Sequence, residues 1–186
     1  MTGLSHIALL VRSADKAAAR LKELGFSPNP PDVFEKGKVR EIYIGDYAVN
    51  SSLLLLVEPV KKTAYARTFK KSGYGLHHIA VDVPDLEKYV DGLYDSGWLL
   101  HPWSLEAART FNTVYLCRPG LGFVIEVQKR ERGTAPRLIE RIALPLSKTA
   151  GAMVAAAGLA DAVSAAPEAE LFFSNKRSIR VAELLG

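Results

Sequence analysis

Two hydrophobic periods alternate along this chain, and the switch between them recurs. A short apolar strand around His6-Ile7-Ala8 leads into a polar turn, after which Ala17, Leu21 and Leu24 return at three- or four-residue spacing. That spacing places them on one face of a helix. Ser13 or Asp15 can cap this helix, and Gly25 suits its end. Alternating apolar stretches follow at Val39 to Ile44 and Ser52 to Val60, which predict two strands.

The same order returns 72 residues later. His6-Ile7-Ala8 falls on His78-Ile79-Ala80, Val11 on Val83, Lys16 on Lys88, Leu21 on Leu93 and Gly25 on Gly97, seven identities over the 21 positions from His6 to Phe26. In this second copy Pro84-Asp85 opens a helix with Leu86, Val90 and Leu93 as its apolar stripe, and Thr113 to Cys117 and Phe123 to Gln128 predict the later strands. Duplication on this scale fixes architecture before any local detail does. The chain therefore reads as α+β, with two tandem βαβββ modules forming one cleft-bearing mixed sheet over residues 1–130.

A weaker echo starts at Arg141-Ile142-Ala143-Leu144, with Arg where the other copies have His, and continues with an Ala-rich helix over about 149–163 and strands at Leu171 to Ser174 and Ser178 to Leu184. Residues 131–186 are too few for a complete copy, so they read as a partial βαββ module. A half-module leaves an apolar sheet face and a strand edge exposed. Residues 131–186 are accordingly expected to pack on the first two modules or to dimerise with a second chain. The charged segment from Arg130 to Pro136, with Gly133, marks the boundary.

Composition narrows the function. The chain has 186 residues, 48% of them hydrophobic and 24% charged, with 24 Lys and Arg against 20 Asp and Glu. A net charge of +4 spread along the chain is not the concentrated basic surface that phosphate neutralisation requires, so nucleic acid is not the expected partner. Cys117 stands alone, which excludes an intrachain disulfide and a cysteine-based zinc site. The longest apolar stretch, Gly151 to Ala166, is short and interrupted by Asp161, so no membrane span is expected. No basic segment followed by a long apolar run opens the chain, and the expected setting is the cytoplasm.

Strand alternation then selects the chemistry. His6 and His78 hold the same position in the two repeats, so a pseudo-two-fold axis should bring them face to face. Glu126 interrupts the apolar strand Phe123-Val124-Ile125-Glu126-Val127. A carboxylate there is costly unless something neutralises it, and a divalent cation would. Two imidazoles and one carboxylate are a donor set for Zn, Mn, Co or Fe(II) that leaves positions open for substrate. His77, one residue earlier, should point away from His78 and is read as structural or surface.

The motifs His-Ile-Ala at the head of each module, Gly-Leu-His-His-Ile-Ala at 75–80 and Gly-Phe-Val-Ile-Glu-Val at 122–127 resemble the vicinal oxygen chelate superfamily of glyoxalases, epimerases, extradiol dioxygenases and bleomycin-resistance proteins. Within it the pattern is most similar to the methylmalonyl-CoA epimerases. Val39-Arg40-Glu41-Ile42, Leu53 to Val60 and the basic helical stretch before Gly75 are placed as in those enzymes. The resemblance covers residues 4 to about 129. It implies His6, His78 and Glu126 as metal ligands, with Glu41 and Glu126 as catalytic carboxylates on opposite sides of the substrate. It also implies a Gln or Glu ligand in the fourth strand of the first module, where this chain has Leu55. Glu58, an odd number of positions further on, reaches the same face only through a bulge.

The resulting reading is a divalent-metal isomerase or lyase of epimerase or glyoxalase type. It would remove an α-proton from a small acyl-CoA or oxo-acid substrate through a metal-stabilised enediolate. An Fe(II) dioxygenase using the His, His, Glu triad and a non-catalytic ligand-binding or resistance protein remain as alternatives. Lys61, Lys62, Arg67, Lys70 and Lys71 either meet CoA phosphates or form a solvated helix face. Tyr65, Phe69 and Trp103 either line a pocket or fill core, and a loop from His101 to Phe111 is placed to close over a cleft.

Overall fold

A computed structural model describes residues 2–34, 38–61, 63–73, 75–131 and 134–186. The first module comprises β1 (Gly3–Leu10), α1 (Ala14–Glu23), β2 (Asp32–Phe34), β3 (Val39–Ile44) and β4 (Leu53–Pro59). Helix α2 (Ala64–Ser72) connects it to the second, which comprises β5 (Gly75–Val83), α3 (Leu86–Asp91), β6 (Leu99–Leu100), α4 (Ser104–Phe111), β7 (Thr113–Cys117) and β8 (Val124–Lys129). The segment from His101 to Phe111 is thus largely helix, not a loop. It packs on β7 because Ser104 Oγ accepts from Tyr115 N at 2.9 Å and Ala107 is buried beneath it.

These strands make one eight-stranded sheet in the order β2-β3-β4-β1-β5-β8-β7-β6. Each module repeats the same wiring, with its first strand parallel to its last, β1 to β4 and β5 to β8. The modules join where β1 and β5 pair antiparallel with Ile7 opposite Ile79, two residues that are themselves 72 apart. A residue paired with its own repeat mate marks the pseudo-two-fold axis. Local signals repeat with it. Ser13 and Asp85 each cap a helix, accepting from Lys16 N and Lys88 N. Gly25 and Gly97 both have φ +84°, a left-handed conformation that side-chain-bearing residues avoid.

The sheet has two unlike faces. On the outer one Ile7, Leu9, Leu54, Leu56, Ile79, Val81, Ile125 and Val127 are buried beneath α1 and the C-terminal residues. Those residues fold as β9 (Ile139–Leu144), α5 (Lys148–Val154), a π-type turn (Ala155–Leu159), β10 (Val163–Ala165), β11 (Glu170–Phe173), β12 (Ser178–Arg180) and a short 3-10 helix (Val181–Leu184). They form a second sheet in the order β10-β9-β11-β12. The helical run stops short of the expected 163 because Gly158 turns left-handed at φ +75°, which frees Val163–Ala165 to pair parallel with β9. The C-terminal unit therefore has one strand more than expected. Its first strand lies parallel to the strand after the helix, a different wiring from the first two modules.

This second sheet packs on the first. Ile139, Ile142, Leu171, Phe173 and Val181 belong to the same buried cluster as Ile7 and Ile79. Phe173 meets Phe26 at 4.3 Å between ring centroids, Trp98 Nε1 donates to Met153 O at 2.8 Å, and Tyr89 Oη donates to Ala157 O at 2.8 Å. Phe173→Ala should cost about 3–5 kcal/mol in urea unfolding while leaving a single transition. A separate transition for the C-terminal residues, or a negligible loss, would contradict a shared core.

Candidate metal centre

The inner face of the sheet carries the polar residues singled out from the sequence. On its first-module half, Ala8, Leu10, Val39, Leu55 and Val57 are buried together under Tyr43 and Tyr65. His6, His78 and Glu126 stand beside them, exposed by only 4%, 3% and 9%. The pairing explains why they meet: His6 lies opposite Ala80 and Ala8 opposite His78, one step either side of the Ile7–Ile79 axis, while Ala80 lies beside Glu126. The three donors converge. His6 Nε2 is 2.9 Å from His78 Nε2, and Glu126 Oε2 is 3.1 Å from His78 Nε2 and 4.0 Å from His6 Nε2.

Donors bonded to one first-row cation at about 2.0–2.2 Å stand about 3–3.5 Å apart in octahedral or tetrahedral arrays. Two of the three separations fit that spacing, and the third closes with a small movement of the carboxylate. The protonation states suit a cation as well. Burial lowers His6 well below the ordinary histidine value, helped by His78 and Arg130, and burial alone brings His78 to about 3. Both imidazoles are neutral at physiological pH and able to offer a lone pair. Burial raises the Glu126 carboxyl, against the opposing hydrogen bonds from Gln128 and Tyr115, so a positive charge here removes a standing cost. Among the described residues this trio is the group of His, Cys, Asp or Glu side chains placed to hold a metal ion.

The partners of these donors were not anticipated from sequence. Gln128 Nε2 donates to Glu126 Oε1 at 2.8 Å. His6 Nδ1 lies 3.1 Å from the Tyr47 hydroxyl, itself 3.3 Å from Ser5 Oγ and beneath the Arg130 guanidinium, whose Cζ is 4.1 Å from the ring centroid. Arg130 also donates to Ser5 Oγ at 2.9 Å and to Asp82 Oδ2 at 2.8 Å. Two signals were available. Glu126, Gln128 and Arg130 follow one another at the two-residue spacing of a single strand face, and Tyr43 and Tyr115 are again 72 residues apart. Nothing in the local sequence marks Tyr47.

His77 corrects the sequence reading. It does not point away from His78: its Nδ1 lies 2.8 Å from His78 Nδ1, and its ring centroid is 4.7 Å from that of Tyr65. The reason is a bulge. The β1–β5 ladder skips Ser5 between Leu4 and His6, and skips His77 between Leu76 and His78, so two neighbouring side chains turn to the same face at each place.

The first module lacks the mate of Glu126. Ala80 pairs with Glu126 as Ala8 pairs with Leu55, and Tyr115 with Glu126 as Tyr43 with Leu55, so register identifies Leu55 as its repeat equivalent. Glu58 offers no substitute, because it faces the outer side and its Oε2 accepts from Ala14 N at 2.9 Å at the start of α1. Glu41 shares the inner face with Val39 and Tyr43. Tyr43 reaches within 6.2 Å of the His6 ring, and its hydroxyl is pushed up first by burial, then by Glu41, with Glu126 contributing too. Arg40 points the other way and pairs with Asp15 at 2.8 Å.

Of the remaining candidates, Tyr65 packs over Leu55 and its neighbours, and Trp103 stacks on Tyr115 at 5.1 Å but stays half-exposed. Lys61, Arg67 and Lys70 are exposed. Lys62 and Gly133 lie outside the described residues, as do the side chains of Phe69 and Lys71. No helix among the described residues is long and apolar enough to cross a membrane.

The fold is a mixed sheet of paired modules, and at their junction a buried His, His, Glu cluster is placed to hold a cation. The chain belongs to the glyoxalase/bleomycin resistance protein/dioxygenase superfamily, whose model matches residues 5–116. No curated protein sequence matches it. Among solved structures it is similar to a hypothetical protein from Bacillus halodurans C-125, at 22% identity over 71% of this chain and 97% of that one, with a TM-score of 0.56. It is also similar to methylmalonyl-CoA epimerase from Mycobacterium tuberculosis, at 24% identity over 67% and 85% of the two chains and a TM-score of 0.51. A Streptomyces coelicolor methylmalonyl-CoA epimerase in complex with 2-nitronate-propionyl-CoA matches at 20% identity over 72% and 99%, with a TM-score of 0.51. At these identities the likeness establishes the fold.

The buried imidazoles impose a pH dependence on the metal-free protein. His77 and His78, each brought to about 3, and His6, also lowered, bind protons more readily unfolded than folded. Their contribution to stability is complete above about pH 6.5 and is lost as pH falls toward 3. Glu126, raised in the fold, works against this above its ordinary carboxyl value. Urea midpoints of chelator-treated protein should therefore fall steadily below pH 6.5, and His77→Asn should flatten the slope. A flat profile between pH 7 and 4 would contradict neutral, buried rings.

Proposed function

We propose that the protein is a divalent-metal-dependent isomerase of epimerase type that moves the α-proton of a small acyl-thioester, acyl-CoA being the expected form. The observation that carries this reading is the buried convergence of His6, His78 and Glu126, with Glu41 on the same sheet face. His6, His78 and Glu126 would hold the cation, which when bound supplies positive charge to a thioester oxygen that gains electron density as the α-proton leaves. Residues 1–130 form the catalytic unit, and residues 131–186 brace its outer face.

The chain's own groups account for the proton. Glu41 on β3 takes it as a carboxylate, a proton is returned to the opposite face of the same carbon from the side of Glu126 on β8, and Glu41 then releases its proton to solvent. Gln128 fixes Glu126 by donating to Oε1, leaving Oε2 toward the imidazoles. The apolar wall of Leu55, Val57, Tyr43 and Tyr65 keeps water from the reacting carbon. Likeness to methylmalonyl-CoA epimerases supports the substrate class, and the α-carbon acidity of a thioester is what the two carboxylates suit.

Leu55 favours a second reading. With no donor at the repeat mate of Glu126, three protein ligands remain, the number that suits Fe(II) dioxygenases binding substrate and oxygen together. Elemental analysis and solvent deuterium exchange separate the two. Purified parent protein should carry a divalent metal that is lost in His6→Ala, His78→Ala and Glu126→Ala. Glu41→Gln should keep the metal and lose α-proton exchange of an acyl-CoA by about 100-fold or more. Undiminished metal in all three alanine variants removes the site, and unchanged exchange in Glu41→Gln removes the base. Oxygen uptake with a catechol or 2-oxo acid, without exchange, favours the dioxygenase.

A further inference from the structure

The hydrogen bond between adjacent histidines determines where one proton sits, and that position decides whether the cluster is able to take a cation. His77 Nδ1 and His78 Nδ1 are 2.8 Å apart, so one ring donates and the other accepts. If His77 donates, the proton of neutral His78 lies on Nε2, pointing at His6 Nε2 and Glu126 Oε2, and His78 has no lone pair to offer a metal. If His78 donates, its Nε2 lone pair faces the other two donors and the His77 proton is on Nε2. A cation binds only the second arrangement, so affinity rises in proportion to the fraction of molecules that adopt it.

We propose that His77 is a positioning residue that accepts the Nδ1 proton of His78 and so turns the Nε2 lone pair of His78 toward the metal. The inference rests on the metal-site reading given above. Three observations carry it. The contact exists only because β5 bulges at His77, since regular alternation would have sent the ring to the outer face. The bulge recurs at Ser5, the residue 72 positions earlier, where the short side chain leaves room for Tyr47 to meet His6 Nδ1 at 3.1 Å. Both cluster imidazoles thus have their outer nitrogen engaged, one by a phenol and one by an imidazole. Finally, the Tyr65 ring lies 4.7 Å from His77, which restricts rotation of the accepting ring. Hydrogen bonds to the outer nitrogen of a ligating histidine set ring orientation and basicity.

The test compares Co(II) binding by chelator competition, and the visible spectrum of the Co(II) protein, in parent, His77→Phe, His77→Asn and His77→Gln. Phe keeps a ring against Tyr65 but has no acceptor. Asn places an amide oxygen about where Nδ1 sits, and Gln places it one bond too far. His77→Phe should bind Co(II) about 10- to 100-fold more weakly with an altered spectrum. His77→Asn should recover most of the affinity and the parent spectrum, and His77→Gln should recover less. Thermal midpoints of the metal-free proteins report any packing change separately. If His77→Phe does not fold, the Asn and Gln pair decides. Parent-like binding in His77→Phe, or no difference between Asn and Gln, overturns the role of His77 and leaves the site reading intact. A parent that binds no divalent metal overturns both.

Discussion

One antiparallel pairing organises this molecule: β1 against β5, with Ile7 opposite its own repeat mate Ile79. A shift of one residue would carry His6 and His78 to opposite faces and break the apolar layer beneath them. Register is enforced by burial, because Ile7, Leu9, Ile79 and Val81 are fully enclosed on the outer side. The inner face inherits its chemistry from that constraint. Two imidazoles one step from the axis are forced to meet, and the parallel β5–β8 ladder brings Glu126 alongside.

The second feature is the pair of bulges at Ser5 and His77. Ordinary alternation gives each module one inward residue at this level; the bulges give two, the additional one being the residue that precedes each cluster histidine in the chain. The modules use the extra place differently. The first combines Ser5 with Tyr47 and Arg130, a network that ends in the Asp82 carboxylate. The second uses His77 itself. Duplication thus supplied a symmetric frame, and divergence supplied an asymmetric site: an acid at 126 against a leucine at 55, and an apolar wall on one side of the donors.

The C-terminal unit follows from the outer face rather than the inner one. Leaving that layer of isoleucine, leucine and valine in water would cost roughly 25 cal/mol for each Å² of apolar surface. β9 to β12 cover it with Ile139, Ile142, Leu171 and Phe173. The unit repeats the Ile-Ala-Leu of β1 but carries Arg141 where His6 stands, and that side chain lies 3.6 Å over the Phe172 ring while donating to Ser164 Oγ. It adds packing without adding a donor to the cluster.

Repetition made the two-module frame legible in the chain, together with strands β3 and β7, the caps at Ser13 and Asp85, and the meeting of His6, His78 and Glu126. Helical and strand periods are local, and a duplicated chain carries its own symmetry in the spacing of its residues. Tertiary structure alone decided the direction of His77, the helix over Ser104–Phe111, the wiring of β10 and the contacts of Tyr47. Each of those depends on an extra residue in a ladder, a left-handed glycine or a partner distant in sequence. Periodicity cannot encode such features, because it assumes that every strand alternates without interruption.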